Sequence, residues 1–449
     1  MRNHRQKILI FGIALLIFIS ISSGSADCAE YALSLEDAIQ LARNSNFEIQ
    51  LAEAEADKMR GDAMKANAVF FPQATVSETY IKTNDPLNVF GFKLKQEIVT
   101  QSDFNPALLN DPENIENFTT KIEVKQPLIN LDGFFGRSAA RNGVKAMEHK
   151  LERTEHFVIF QLKNVYYGLV LARASLDVIN QSIDAAKSGR NQALDYFNEG
   201  FINKSEYLQS EVWLLQLESQ KAEIENKIID ANNNLKYMLD IGDDRQIMPT
   251  DSLLIVSVRD YSYDLEQVNQ ERSDMLAMRY RVKAMEKTVK MNCFKYMPNF
   301  NIFANFEYND DNVFGSGAEN WTAGAMLKWD IFKGFENYGE VKKAKADLHY
   351  ARIEYRKAAL KNKVDVESAL SNLNTAMKRV ELSDESIKQA EESLRIITDR
   401  YAKGLEKTTD LLAAEATLAH SRLDYLKAIY DYNISVFHIE LLLERSMVQ

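Results

Sequence analysis

Only 7 prolines and 17 glycines occur in 449 residues. These two residues are the main interrupters of helices, so their scarcity leaves room for very long uninterrupted ones. Cysteine is scarcer still. Cys28 and Cys293 are the only two, which excludes a disulfide framework. No basic block occurs and the net charge is −11, so the clustered Lys and Arg that a phosphate backbone demands are missing and no nucleic acid is expected as a partner. Beyond Ile21 there is no second apolar run long enough to span a membrane as a helix. An exported chain of this kind either stays soluble or crosses lipid as a closed β-barrel. Catalytic signatures are missing too. His4, His149, His156, His349, His420 and His438 never fall two to a helical turn, Phe314-Gly-Ser-Gly317 lacks the nucleophile-elbow pattern, and no phosphate-cradling glycine loop exists. No metal, no cofactor and no enzymatic activity are expected, and any energy must come from a partner.

What is present begins with a leader. Arg2, Arg5 and Lys7 precede the apolar run Ile8 to Ile21, and Gly24, Ser25 and Ala26 offer a cleavage point after Ala26, with Ala29 as a second candidate. Residues 1–26 therefore read as a signal peptide. Asp27 before Cys28 fits a lipoprotein cleavage site poorly.

The chain then repeats itself at an offset of about 200 residues. Phe197-Asn-Glu-Gly200-Phe-Ile-Asn-Lys-Ser205-Glu206-Tyr-Leu208 parallels Tyr401-Ala-Lys-Gly404-Leu-Glu-Lys-Thr-Thr409-Asp410-Leu-Leu412, and Glu211 parallels Glu415. Val124-Lys-Gln-Pro-Leu128-Ile parallels Leu327-Lys-Trp-Asp-Ile331-Phe, each soon followed by Gly-Phe. The expected division is 27–250 and 251–449. Each half has a helical stretch (Leu35 to Asn67; Asp264 to Lys295), a strand pair and a long helical hairpin. In the second hairpin Ala359, Val366, Ala369, Leu373, Ala376, Val380, Ile387, Ala390, Leu394, Ile397 and Tyr401 form one heptad seam, with Asn362 and Ser383 its polar entries. A helix over Phe335 to Arg400 would be roughly 100 Å long. Gly404 is expected to end it in the left-handed conformation, with Thr408, Thr409 or Asp410 capping the next helix. There the seam resumes at Leu412, Ala419, Leu423, Leu426, Tyr430, Phe437 and Leu441. Gly200 and Ser205 repeat the device in the first half.

Four strands show period-two alternation: near Pro72 to Ile81, Phe118 to Leu128, Asn299 to Asn309 (Phe303 breaking the pattern) and Trp321 to Ile331. A soluble sandwich also alternates. Export, ten-residue strands and aromatics at strand ends favour a transmembrane barrel with an apolar exterior and polar lumen. Four strands cannot close a barrel alone, whereas three chains supply 12. Lys82 to Asn117 reads as a long exposed loop and Asp310 to Asn320 as a shorter one, both on the extracellular side.

With its Leu33-Ser-Leu-Glu-Asp-Ala38 opening, duplicated strand–helix plan and paired glycine turns, the mature chain resembles the TolC-type outer-membrane factors. The resemblance implies a mainly α fold with a transmembrane β-barrel: long antiparallel coiled-coil helices plus four strands per chain, forming a trimeric 12-stranded barrel and an α-helical tunnel. It implies a homotrimer in outer-membrane lipid, reaching into the periplasm and giving passive exit to the cargo of a tripartite efflux pump or type I secretion system. The partners implied are a periplasmic adaptor (membrane fusion) protein and an inner-membrane transporter. Gly200, Phe201, Gly404 and Leu405 match the helix tips where adaptors dock. Tyr401 and Glu206 match a tyrosine–acid pair that holds the periplasmic gate closed, and Asp410 matches an acid of the constriction. Glu406 stands where relatives carry a base, and Ala413 where they carry a second acid, so a different closing network is expected. Acids at the tip and lumen predict a preference for cations. The alternative is a soluble periplasmic coiled-coil scaffold or adaptor, its strands folded into a compact sandwich.

Overall fold

The computed structural model describes residues 30–258 and 265–446. The expected signal peptide over residues 1–26, with Cys28, Ala29 and Asp264, lies outside them. Strand β1 (Glu30–Leu33) leads into α1 (Leu35–Ser45) and α2 (Phe47–Ala66). The single helix expected over Leu35 to Asn67 is broken at Asn46, whose side chain ties back to the Met238 carbonyl (2.9 Å) while capping α2 at Glu48 N (2.9 Å). That side chain ends one helix and starts the next.

Strand β2 (Gln73–Thr83) pairs with β3 (Ile115–Ile129). The connection between them is not the exposed loop expected from its Asn, Asp and Pro content. It folds into α3 (Pro86–Lys95), a 3₁₀ turn (Gln101–Phe104) and α4 (Pro106–Asn110). Its polar residues are the caps: Asp85 and Asn105 each precede a proline at the first helical position and accept from Asn88 N and Ala107 N.

Helix α5 (Leu131–Asn198) has 68 residues and runs about 100 Å to a turn at Gly200, from which α6 (Lys204–Leu239) returns. Strand β4 (Gln246–Pro249) pairs in parallel with β1 at mid-height. The second half supplies α7 (Leu265–Glu271), α8 (Ser273–Phe294), β5 (Asn299–Asp310), β6 (Ala318–Lys328), α9 (Glu336–Tyr401) and α10 (Thr408–Leu443). Helices α6 and α10 both have 36 residues, start 204 positions apart, and both end on a left-handed residue, Asp240 (φ 54°) and Glu444 (φ 50°).

The α9 seam falls where its heptads place it. Asn362, Val366, Ala369, Leu373, Ala376, Ala390 and Tyr401 are buried. Asn362 is tolerated because its amide donates to Asn269 Oδ1 (3.2 Å) and its oxygen accepts from Arg272. The α10 seam is packed as expected but is not the whole of the buried surface. Ala419, Phe437 and Leu441 are buried and Leu423, Leu426 and Tyr430 are half-buried against the core, while Leu411, Ala414, Ser421, Ala428, Asn433, Val436 and Ile439 are buried as well. Because α10 packs against α9, α5 and α6, it has two apolar stripes where a hairpin alone would need one. At mid-height Tyr166, fully buried, sets its hydroxyl against the Leu33 carbonyl (2.8 Å) and Asp251 (2.5 Å).

The four long strands form one antiparallel sheet in the order β2-β3-β5-β6. Strand β6 stops at Lys328, so Trp329 and Ile331 follow the sheet rather than ending it. Cross-strand register gathers the alternating apolar residues of all four strands on one face. Val76 opposes Ile122, which opposes Phe306, which opposes Trp321. The other face carries the row Ser77, Lys121, Glu307 and Asn320. Phe303, the one break in the pattern, lies on this polar face directly over Gly324, where a Cβ would meet its ring at 2.7 Å. The glycine is a seat for the ring. No helix among the described residues covers the apolar face, and Val76 (67%), Trp321 (77%) and Leu327 (66%) remain exposed. The compact sandwich of the soluble alternative is not formed among the described residues. At the helix-proximal end Phe71, Trp329, Phe332 and Phe335 make an exposed aromatic collar.

Candidate functional site: the helix tips

The far ends of the two hairpins lie side by side. In each, a glycine in the left-handed region (Gly200 φ 81°, Gly404 φ 70°) lets the chain reverse within a few residues. Phe201 N donates to the Tyr196 carbonyl (2.8 Å) and Leu405 N to the Arg400 carbonyl (3.0 Å), closing the two turns the same way. The side chains that follow the glycines point outward: Phe201 is 74% exposed and Leu405 62%. Two largely exposed apolar side chains at the ends of the hairpins make a contact surface.

The returning helices start differently from expectation. Helix α6 is capped by Asn203, not Ser205. Asn203 Oδ1 accepts from Glu206 N (3.1 Å), and Asn203 Nδ2 donates to Glu206 Oε1 (2.7 Å). Helix α10 begins after Lys407 with no side-chain cap, so Thr408, Thr409 and Asp410 are not caps. Thr408 is instead 2% exposed and faces inward.

This inward turn joins the two hairpins. Thr408 Oγ1 donates to Glu206 Oε2 (3.1 Å) and lies 3.2 Å from the Tyr401 hydroxyl. The threonine has one proton and gives it to the carboxylate, so the tyrosine donates to the threonine. Tyr401 and Glu206 are thus brought together through Thr408 and not by a direct bond. Tyr401 is 5% exposed, and burial pushes its hydroxyl above the usual tyrosine range. Its ring lies 5.9 Å from that of Tyr196, which also meets Phe201 edge-on at 6.2 Å. Asp410 stands exposed in the first turn of α10, apart from this cluster. Glu406 pairs with Arg400 (3.0 Å) within its own turn. Ala413 is exposed.

One turn further up, Glu415 Oε2 finds no hydrogen-bond partner among the described residues. Burial raises its carboxyl above the usual range, and the neighbouring Trp213 indole opposes that rise only in part. Gly189 opposes it, and a Cβ there would meet Glu415 Oε1 at 3.8 Å, an ordinary van der Waals contact. Tyr196 had no signal in the sequence beyond its place beside a glycine turn, and Thr408 was expected only as a helix cap. Glu415 had one, its repeat partner Glu211, which binds the Tyr207 hydroxyl (2.5 Å). Among the described residues no cluster of His, Cys, Asp or Glu is placed to hold a metal ion, and no helix is long and apolar enough to cross a membrane.

Known proteins share the family and the fold of this chain. A family model described as outer membrane efflux protein matches residues 38–239 and 265–443. Nodulation protein T of Rhizobium leguminosarum bv. trifolii is 25% identical over 124 residues, 28% of this chain and 26% of that protein. The match thus spans about a quarter of that relative's length. Among solved structures, the Campylobacter jejuni CmeC outer membrane channel superposes with a TM-score of 0.78 at 16% identity, over 91% of this chain and 85% of that one. A membrane protein from Pseudomonas aeruginosa gives 0.80 at 15% identity, over 91% and 93%. The outer membrane protein VceC from Vibrio cholerae gives 0.75 at 16%, over 92% and 96%. At these identities the superpositions establish the fold.

Proposed function

We propose, from the premise that this chain belongs to the outer membrane efflux protein family, that three copies close a 12-stranded barrel and continue as an α-helical tunnel through which cargo leaves passively. The protein resides in the outer membrane. The observation that carries the proposal is the sheet: its apolar face is uncovered, its two edge strands β2 and β6 are unpaired among the described residues, and it is joined to rods about 100 Å long. Unpaired edges must be closed in lipid. Strands β2 and β6 run in opposite directions, so the β6 of one copy can pair antiparallel with the β2 of the next, and the pattern repeats without a break. Strands of 11 to 15 residues suffice to cross a bilayer core of about 30 Å when tilted. In this arrangement the apolar face meets lipid and the polar face lines the lumen. The division of the chain into repeats 27–250 and 251–449 supplies the two strand pairs and two hairpins of each subunit.

At the other end, Gly200, Phe201, Gly404 and Leu405 form the docking tip for a periplasmic adaptor protein, which links the channel to an inner-membrane transporter of an efflux pump or type I secretion system. Glu206, Thr408 and Tyr401 hold the hairpins together in the closed state, and three copies of Asp410 make the acidic constriction. Light scattering of the detergent-solubilised protein, corrected for bound detergent, tests the assembly: a mass of three chains is expected, and a monomer released without detergent would overturn the proposal. Reversal potentials across a salt gradient test the constriction. A cation preference is expected, and it should weaken in Asp410→Asn.

A further inference from the structure

The connection between β2 and β3 does not extend away from the sheet. It folds back over the sheet's polar face. Gln96, at the end of α3, is 8% exposed; its amide donates to Asn117 Oδ1 (2.8 Å) and to the Glu116 carbonyl (2.8 Å). Asn117 in turn donates to Asn309 Oδ1 (3.0 Å) and Thr119 Oγ1 (2.8 Å), and both asparagines are fully buried. All these side chains lie on the polar face. Lys95 reaches Glu307 (3.4 Å), and Asn320 Nδ2 donates to the Lys95 carbonyl (3.4 Å). The end of α3 therefore spans from β3 across β5 to β6. Glu307 is three residues below the rim at Asp310, so the helix end sits about 10 Å inside the mouth.

The excursion is built to hold this position. Glu97 takes a left-handed conformation (φ 59°) that stops α3 at the contact, and Ile98 N closes the stop on the Lys93 carbonyl (3.0 Å). Lys93 pairs with Asp103 (2.6 Å), and Phe90 meets Phe104 edge-on at 5.6 Å. The shorter β5–β6 loop does the opposite: Phe314 N donates to Glu78 (3.2 Å), which lies on the apolar face. One loop folds in and the other folds out.

We infer that α3 is a size-limiting collar at the outer mouth, pinned by Gln96 and Lys95, so that the channel passes narrow solutes and refuses folded polypeptides. This rests on the reading that the polar face lines the lumen. A helix with its side chains is about 10–12 Å across, and three of them on the inner wall take up much of the width a 12-stranded barrel encloses. The collar lies at the opposite end of the molecule from the helix tips, so it limits passage whether or not the tips are open.

The test approaches from outside the cell. Thr322→Cys places a thiol on the polar face below the collar, and Ala323→Cys places one on the apolar face at the neighbouring position. Intact cells are treated with a small maleimide or with one carrying a long poly(ethylene glycol) chain, against the parent with its native cysteines. In Thr322→Cys the small reagent is expected to label and the long one to be refused. Replacing residues 84–114 by an Asn-Gly turn, which joins the paired Thr83 and Ile115 directly, should admit the long reagent. The double variant Lys95→Ala, Gln96→Ala keeps the whole excursion but unpins it, and should admit the long reagent in part. If the long reagent behaves alike in all three chains, admitted or refused, the collar is overturned. If Ala323→Cys is labelled and Thr322→Cys is not, the lumen reading itself fails.

Discussion

Thr408 is the residue on which the two hairpins meet, and it is the one the sequence hid. A threonine at the first position of a helix reads as a cap; only the fold places it beneath Glu206, 202 positions away. Thr408→Val keeps the shape and removes both hydrogen bonds, leaving a buried tyrosine hydroxyl without its acceptor at a cost of about 1–3 kcal/mol. A lower Tm together with a raised conductance in planar bilayers is expected. A lower Tm alone would leave the bridge a purely structural one. Glu415 gives a prediction with a sign. Its folded carboxyl is raised by burial above the usual glutamate range, so the folded state holds the proton more tightly than the unfolded chain. Its contribution to stability is therefore fullest in acid. It declines as pH rises from the unfolded value through the raised folded one. Glu415→Gln should remove that decline and raise Tm at about pH 7 while leaving it unchanged in acid. Thermal midpoints across the acid-to-neutral range check it, and a variant less stable than the parent at neutral pH would show that the charge is satisfied.

At the scale of elements, legibility followed periodicity. The α9 seam, the two glycine turns and the four strands could be read because burial repeats every three or four residues in a coiled coil and every two in a half-covered sheet. Breaks and caps could not, since Asn46 ends α1 through the Met238 carbonyl, a partner 192 positions distant. The 82–117 excursion was misread because its Asn, Asp and Pro residues are shared by helix caps and by loops. The α10 stripe was half legible, for a helix packed on three neighbours loses the single period that a hairpin imposes. The seam also explains its alanines. Ala369 is 2% exposed and packs in a cluster with Val366, Val436 and Ile439. Ala369→Leu should push α9 from its neighbours and cost about 1–3 kcal/mol, read as a lower Tm. An unchanged Tm would mean that the helices are less closely packed than the buried alanines require.

At the scale of the whole molecule the sheet is inverted relative to a soluble one: its charged face is ion-paired and partly covered, and its apolar face is bare. Lys121 pairs with Glu123 (3.2 Å), and Lys95 shields Glu307 from above, whereas nothing among the described residues lies over Trp321 or Leu327. An uncovered apolar face is costly in water, so on the proposed reading assembly and membrane insertion are one question. Two neighbouring positions separate the faces. Ala323 opposes Ala304 on the apolar face, near mid-strand, and Thr322 opposes Asn305 on the polar face. If lipid covers the first face, Ala323→Arg places a charge in hydrocarbon at a cost of about 2–4 kcal/mol near the bilayer centre. Each trimer would bear that cost three times over, and little trimer should be recovered from the outer membrane. On the proposed barrel, Thr322→Arg, one residue away, puts the same charge on the face that carries Lys121 and Lys125 and would line a watered lumen. It should assemble normally and shift ion selectivity toward anions. Equal loss of trimer in both variants would point to a face buried against protein, and the barrel would have to be redrawn.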